Sequence, residues 1–298
     1  MAEITVNTQM LGLNDVKLHV EDNGGPGRPV ILIHGWPLSG ASWKQQVPAL
    51  TAEGFRVITY DRRGFGRSDK PVAGYGYQTL AEDLSGIITA LDLRDVTLVG
   101  FSMGGGEVAQ YVADYGEERL HSVVFAAAVP PMMMNLPNNP DGPLEKAKAA
   151  KMTLALTADS DAFFDDFTKQ FFSPQANGSV MVGEAQRQEA LALCKQASKL
   201  AALEAMQAFA MADFRDDLKK ITVPTLVLHG GADGIVPLEG SGARTHQAIA
   251  HSQLRVINGA PHGFNVSHAE AFNAALIEFL QGQSASALTT PQASTAKK

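Results

Sequence analysis

The sequence predicts an α/β fold: a mostly parallel, doubly wound sheet with a helical cap. Short apolar runs rich in valine and isoleucine recur along the chain, each stopping at glycine, histidine, aspartate or proline. Runs of this length bounded by turn formers read as buried parallel strands. Helical patterns lie between them, and that alternation makes an open α/β sheet. One interval, residues 132–217, breaks the alternation with helical patterns alone and reads as a cap over one end of the sheet.

The elements follow in order. Residues 4–21 read as an antiparallel hairpin. Residues 29–33 (P-V-I-L-I) form a strand that stops at His34-Gly35, and residues 55–60 (F-R-V-I-T-Y) one that stops at Asp61. A helix over 79–92 carries Leu80, Leu84, Ile87, Ile88 and Leu91 on one face. The strand at 96–99 stops at Gly100 and is followed by a helix over 104–115. The strand at 122–129 stops at Pro130-Pro131 and leads into the cap, where 184–209 is a long helical pattern of one or two helices. Strands at 224–228 and 254–257 and a helix over 269–280 complete the core, which is thus 1–131 and 218–280. Residues 281–298 are polar, lack periodicity and read as a disordered tail.

Composition narrows the function. With 298 residues the chain can bury a sizeable core. Its 45% hydrophobic and 18% charged content is that of a globular protein. A net charge of −7 argues against nucleic acid as a partner. One cysteine allows no intrachain disulfide and fits a reducing compartment. Residues 1–9 show no basic region followed by an apolar run, and no apolar stretch of about 18 residues occurs, so neither a leader nor a membrane partner is expected and the expected location is cytoplasmic.

Gly100-Phe101-Ser102-Met103-Gly104 matches G-x-S-x-G directly after a strand and before a helix. A nucleophile on such a turn sits in strained backbone, and side chains two positions either side would clash. The helix behind it points its N-terminus at the reacting centre and favours negative charge there. Ser102 is the expected nucleophile. A serine needs a base oriented by an acid, in the chain order Ser, acid, His on this scaffold. His262, in Ala260-Pro261-His262-Gly263, follows the last strand, where open α/β sheets carry function, and is the expected base. His246 and His251 fall in a helix and its exit, His268 starts the last helix, and His229 suits a backbone-bonded role. Asp233, in the Gly-rich loop after the 224–228 strand, is the expected acid; Asp213, Asp216 and Asp217 precede that strand, at its wrong end. The oxyanion needs two backbone N–H donors. Met103, next after the serine, is one. Trp36 is the other, because Pro37 has no N–H, and its indole is expected to line the acyl pocket.

Remaining features read more plainly. No histidine pair has zinc spacing, and Asp159, Asp161, Asp165 and Asp166 lack a metal-loop order and read as a solvated face, so no metal and no cofactor are expected. Gly64-Phe65-Gly66-Arg67 lacks the third glycine and lysine of a phosphate loop; Arg62, Arg63 and Arg67 are expected to tie loops together by hydrogen bonds. Cys194 reads as a packing residue. Met132-Met133-Met134 suits either an acyl pocket or cap packing.

H-G-W-P-L-S-G at 34–40, Y-D-R-R-G-F-G-R-S-D at 60–69, L-V-G-F-S-M-G-G-G-E at 98–107, H-G-G-A-D-G-I-V-P at 229–237 and A-P-H-G-F at 260–264 resemble the α/β-hydrolase fold. More narrowly they resemble the bacterial cofactor-free haloperoxidase, aryl esterase and perhydrolase group, over about residues 4–280. The resemblance implies Ser102, Asp233 and His262 as a triad with Trp36 and Met103 as oxyanion donors. It implies no cofactor and, as partners, a small-molecule ester or acid substrate and hydrogen peroxide in place of water. Because the group often forms trimers or hexamers, a homo-oligomer is a further expectation. A relative that hydrolyses γ-lactams keeps an amidase reading open, since a sequence does not expose how the leaving group is protonated. Dehalogenase and epoxide hydrolase chemistry would need a carboxylate at position 102. A non-catalytic receptor would be favoured by a broken triad, and the triad residues are all present. Pro37 restricts the Trp36 carbonyl, which is expected to face a peroxide attacking the acyl-enzyme.

Overall fold

Apolar runs become adjacent strands wherever both faces can be covered. The computed structural model describes residues 2–6, 16–174 and 178–286. Its strands are β1 (Ala2–Val6), β2 (Val16–Asp22), β3 (Pro29–Ile33), β4 (Arg56–Tyr60), β5 (Val96–Phe101), β6 (Leu120–Ala126), β7 (Thr225–Gly230) and β8 (Gln253–Ile257). They form one sheet in the order β1-β2-β4-β3-β5-β6-β7-β8. The hairpin expected at 4–21 is the antiparallel pair β1–β2, and β2 runs antiparallel to β4; every other neighbouring pair is parallel. All six residues of β5 are buried, as a central strand covered on both faces must be.

The helices are α1 (Gln46–Ala52), α2 (Tyr77–Ala90), α3 (Met103–Tyr115), α4 (Lys146–Ala158), α5 (Ser160–Phe171), α6 (Glu184–Cys194), α7 (Lys199–Met211), α8 (Gly242–Ala248), α9 (Phe264–Ser267) and α10 (Ala269–Ser286). The apolar face read at 79–92 is the buried face of α2, with Leu80, Leu84, Ile87 and Ile88 in the core. Among the described residues no helix is long and apolar enough to cross a membrane.

Several boundaries differ from the sequence reading, each for a local reason. The 184–209 pattern, read as one or two helices, is two: the Ser198 hydroxyl accepts the Ala201 N–H at 3.1 Å and starts α7 as an N-cap. The strand read at 254–257 is an edge strand and largely exposed, because β7 is its single neighbour. The tail expected from residue 281 begins later. α10 runs on to Ser286, since glutamine, alanine and serine continue a helix without needing an apolar face, and Gln281 donates to Glu53 at 2.8 Å. The remainder of that tail lies outside the described residues. The short α1 went unread because it buries little beyond Gln46 and Leu50.

The cap is α4 to α7, and its acidic residues are not simply solvated. Asp159 accepts the Ala162 N–H at 3.0 Å and caps α5. Asp165 takes Arg187 at 2.7 Å, so the buried Arg187 joins α5 to α6, with Glu184 on its other side at 2.6 Å. Those contacts hold the Asp165 and Glu184 carboxyls down at about 2. Cys194 is fully buried in α6, and burial pushes its thiol above the ordinary range. Met134 lines a cavity of about 430 Å³ between α4 and α7 with Leu144 and Met206.

The arginines after β4 tie loops, as expected. Arg67 reaches Glu21 at 2.6 Å. Arg63 meets Asp83 of α2 in two bonds of 2.6 Å, both groups being buried. Burial raises the Asp83 pKa, with the Arg63 fork opposing the shift. Removing one buried charge leaves the other uncompensated. Arg63→Met should therefore cost about 3–5 kcal/mol in urea denaturation, and Arg63→Met/Asp83→Leu should recover most of it. Equal losses in the single and double variants would show that the pair contributes through packing alone.

Candidate active site

Chain order explains where the site lies. β3 and β4 lead outward and β5 returns beside β3, so the loops after β3 and β5 diverge at a switch point, where open sheets bind ligands. The residues that follow β3, β5, β7 and β8 are His34, Ser102, the Gly231–Asp233 turn and the loop to His262.

Ser102 is the last residue before α3 and has φ 54° and ψ −118°, a conformation that side-chain-bearing residues rarely adopt. The glycines around it are there for want of space. A β-carbon on Gly100 would stand 2.5 Å from the Gly104 carbonyl oxygen, and one on Gly104 would stand 2.6 Å from the Ile33 carbonyl oxygen. One on Gly106 would strike the Tyr77 ring at 2.4 Å. Tyr77 in turn donates its hydroxyl to the Met103 carbonyl at 3.1 Å and so holds the first turn of α3.

Ser102, His262 and Asp233 come together from three loops. His262 Nε2 lies 2.9 Å from Ser102 Oγ, and His262 Nδ1 lies 2.6 Å from Asp233 Oδ2. The second Asp233 oxygen accepts the Ile235 and Val236 N–H groups at 2.9 and 2.8 Å. That carboxylate is thus oriented by its own turn. The Phe101 and Phe171 rings flank the imidazole, with centroids at 5.2 and 5.3 Å, and His262 is buried.

The other candidates lie elsewhere. His229 Nε2 donates to the Val236 carbonyl at 2.8 Å, the backbone-bonded role read from its context. Burial lowers its pKa, with the Asp233 charge opposing. His246 meets Ser252, His251 meets the Val223 carbonyl, and His268 meets Ser267. Asp213, Asp216 and Asp217 pair with Arg215, Lys219 and Lys220.

The two expected oxyanion donors flank Ser102. Met103 opens α3, and the first N–H groups of a helix have no intrahelical partner. The loop carrying Trp36 presses against the serine: a β-carbon on Gly35 would stand 3.1 Å from Ser102 Cβ. The Trp36 indole reaches into the cap, where Nε1 donates to the Ala202 carbonyl at 2.9 Å. Its ring meets Phe163, Phe164, Phe167 and Phe209 edge-on, with centroids 5.3 to 6.3 Å away. Sequence reading missed this aromatic wall. Its signal was the spacing of Phe163, Phe164, Phe167 and Phe171, which share one face of a helix.

Residues 28–269 match the family model described as alpha/beta hydrolase fold. A non-heme chloroperoxidase of Kitasatospora aureofaciens is 41% identical over 258 residues, 86% of this chain and 93% of that protein. A bifunctional esterase/perhydrolase of Acinetobacter calcoaceticus is 34% identical over 89% of this chain and 96% of its own. The crystal structure of a bromoperoxidase from Bacillus anthracis superposes with a TM-score of 0.89 at 46% identity, covering 94% of this chain and 99% of that one.

The tight turn yields a prediction. Gly100→Ala forces its β-carbon onto α3 and should destabilise the protein by at least about 1–3 kcal/mol, read as a fall in Tm. Gly282→Ala, with nothing within 4 Å of the added carbon, should leave Tm unchanged or slightly raised. Matching Tm values in the two variants would contradict the close approach.

Proposed function

Because the chain belongs to the α/β-hydrolase family, within its cofactor-free haloperoxidase and esterase group, we propose that it hydrolyses small carboxylic esters through an acyl-enzyme on Ser102. The observation that carries this reading is the unbroken line of hydrogen bonds from Asp233 Oδ2 through His262 to Ser102 Oγ. His262 Nε2 takes the Ser102 proton as Oγ attacks the ester carbonyl carbon. Asp233 accepts from His262 Nδ1–H, which fixes the tautomer with a free Nε2 lone pair and stabilises the imidazolium. The tetrahedral oxyanion accepts from the Met103 and Trp36 N–H groups. The C–O bond to the leaving group then breaks, and His262 returns the proton to the departing alkoxide. Water attacks the acyl carbon as His262 takes its proton, the bond from that carbon to Ser102 Oγ breaks with the proton passing to Oγ, and the carboxylic acid leaves. The aromatic wall around Trp36 favours short apolar acyl groups or aryl esters over charged ones.

Hydrogen peroxide in the place of water gives a peracid at the second step. Its support is the esterase/perhydrolase relative and the haloperoxidase names of the others. The peracid oxidises bromide in solution, returning the carboxylic acid and forming hypobromous acid, so halogenation would be indirect.

Three measurements follow. Ser102→Ala should lower p-nitrophenyl acetate turnover by about 10⁴–10⁶ with an unchanged circular dichroism spectrum; retained activity would remove Ser102 from the mechanism. Asp233→Asn should cost about 10⁴ in turnover, whereas Asp216→Asn should cost almost nothing. Bromination should require acetate or another carboxylate in the buffer and disappear in Ser102→Ala. Sustained bromination in carboxylate-free buffer would sink the peracid route.

A further inference from the structure

His34 stands between the proposed oxyanion loop and a buried ion pair: Nε2 faces the Arg62 backbone N–H, and Nδ1 faces the Gly35 carbonyl, with Arg62 Nη1 farther off at 3.4 Å. The Arg62 backbone N–H donates to His34 Nε2 at 2.9 Å, so that nitrogen carries a lone pair. The ring proton is therefore on Nδ1, which lies 2.9 Å from the Gly35 carbonyl oxygen and donates to it. The Leu38 N–H donates to the same oxygen at 3.0 Å. Gly35 C=O and Trp36 N–H belong to one planar trans peptide and point in opposite directions. Two donors holding the carbonyl on one side thus hold the Trp36 N–H toward the other.

The ion pair secures this arrangement from behind. Arg62 Nη2 donates to the His34 carbonyl at 2.7 Å, while Nε donates to Glu107 Oε1 at 2.5 Å. Tyr60 donates its hydroxyl to the other Glu107 oxygen at 2.6 Å. Glu107 stands on α3, the helix that opens with Met103. One guanidinium therefore bonds both the loop bearing Trp36 and the helix bearing Met103. His34, Arg62 and Glu107 are at most 1% exposed, so these bonds act without competition from water. Burial and the neighbouring Arg62 charge hold the His34 imidazole well below its ordinary pKa, in its neutral form.

We propose that His34 is a positioning residue for the oxyanion hole: as its Nδ1–H tautomer, locked by Arg62, it aims the Trp36 N–H at the carbonyl that Ser102 attacks. The inference rests on the esterase reading above and adds to it a residue outside the triad. Asparagine and glutamine separate the two ring nitrogens. The shorter amide of His34→Asn places a donor where Nδ1 stands. The longer one of His34→Gln reaches toward Arg62 and leaves the Gly35 carbonyl with the Leu38 N–H but without its side-chain donor.

For p-nitrophenyl acetate, His34→Gln should lower kcat about 10–100-fold, below the full loss of an oxyanion donor, and His34→Asn only a few-fold, both with little change in KM. A trifluoromethyl ketone, which Ser102 converts into a hemiketal oxyanion, should bind His34→Gln more weakly by the same factor as kcat. A planar carboxylate product should bind as it does to the native enzyme. A purely structural role would weaken both inhibitors together and would not rank asparagine above glutamine; either result overturns the proposal. If the variants do not fold, the native protein still decides it. Imidazole ¹H–¹⁵N spectra should show His34 protonated on Nδ1, and an Nε2–H tautomer would overturn it. Ser102→Ala measured alongside separates the two readings. Hydrolysis that survives in Ser102→Ala defeats the esterase reading, whereas Ser102-dependent hydrolysis with equal asparagine and glutamine variants defeats this inference alone.

Discussion

The arrangement depends on one close approach: the first turn of α3 passes the ends of β3 and β5 with no room for a β-carbon. Gly104 faces the Ile33 carbonyl, Gly100 faces Gly104, and Gly106 faces Tyr77. That crowding forces the chain to reverse at Ser102 with a positive φ, which lifts its side chain out of the sheet toward His262. Backbone strain of this kind costs of order 1–3 kcal/mol and persists only when the surroundings over-determine it. Here the surroundings are a central, fully buried strand on one side and a helix bonded through Tyr77 on the other.

Around this turn the protein relies on buried charges that are paired rather than isolated. Arg62 with Glu107 and Arg63 with Asp83 join the segment after β4 to α3 and α2 respectively. Each charge would be costly to bury alone, and both carboxylates are satisfied by directional bonds, Asp83 by the Arg63 fork and Glu107 by Arg62 with Tyr60. The result is that loops from separate strands hold fixed positions relative to one another. The proposed chemistry needs that, since a nucleophile, a base, an acid and two N–H donors drawn from four loops must meet within hydrogen-bond distances.

The cap is bound to the same centre by aromatic rather than ionic contacts. Trp36 sits among phenylalanines of α5 and α7, and Phe171 at the end of α5 meets His262. The Gly263 N–H donates to the Phe171 carbonyl at 2.7 Å, so the loop bearing the imidazole is bonded directly to the cap. The α5 phenylalanines thus pack against both the Trp36 loop and the imidazole of His262.

The alternation of apolar runs and helical faces, and the spacing of G-F-S-M-G with Asp233 and His262 on later loops, were legible in the sequence because they are local patterns with a local cause. A strand buried on both faces must be apolar, and a nucleophile on a tight turn must have glycine neighbours. The same locality explains the misreadings. α1 has too small a buried face to leave a period, α10 continues where polarity hid it, and β8 is exposed because its one neighbour is β7. What only the tertiary structure decided is the set of contacts between residues far apart in the chain. Arg62 reaches Glu107, Trp36 reaches Ala202, and His34 chooses its tautomer from the backbone of Arg62. Such pairings follow from how strands order themselves in the sheet and how the cap lies on its end, and no periodicity within either segment encodes them.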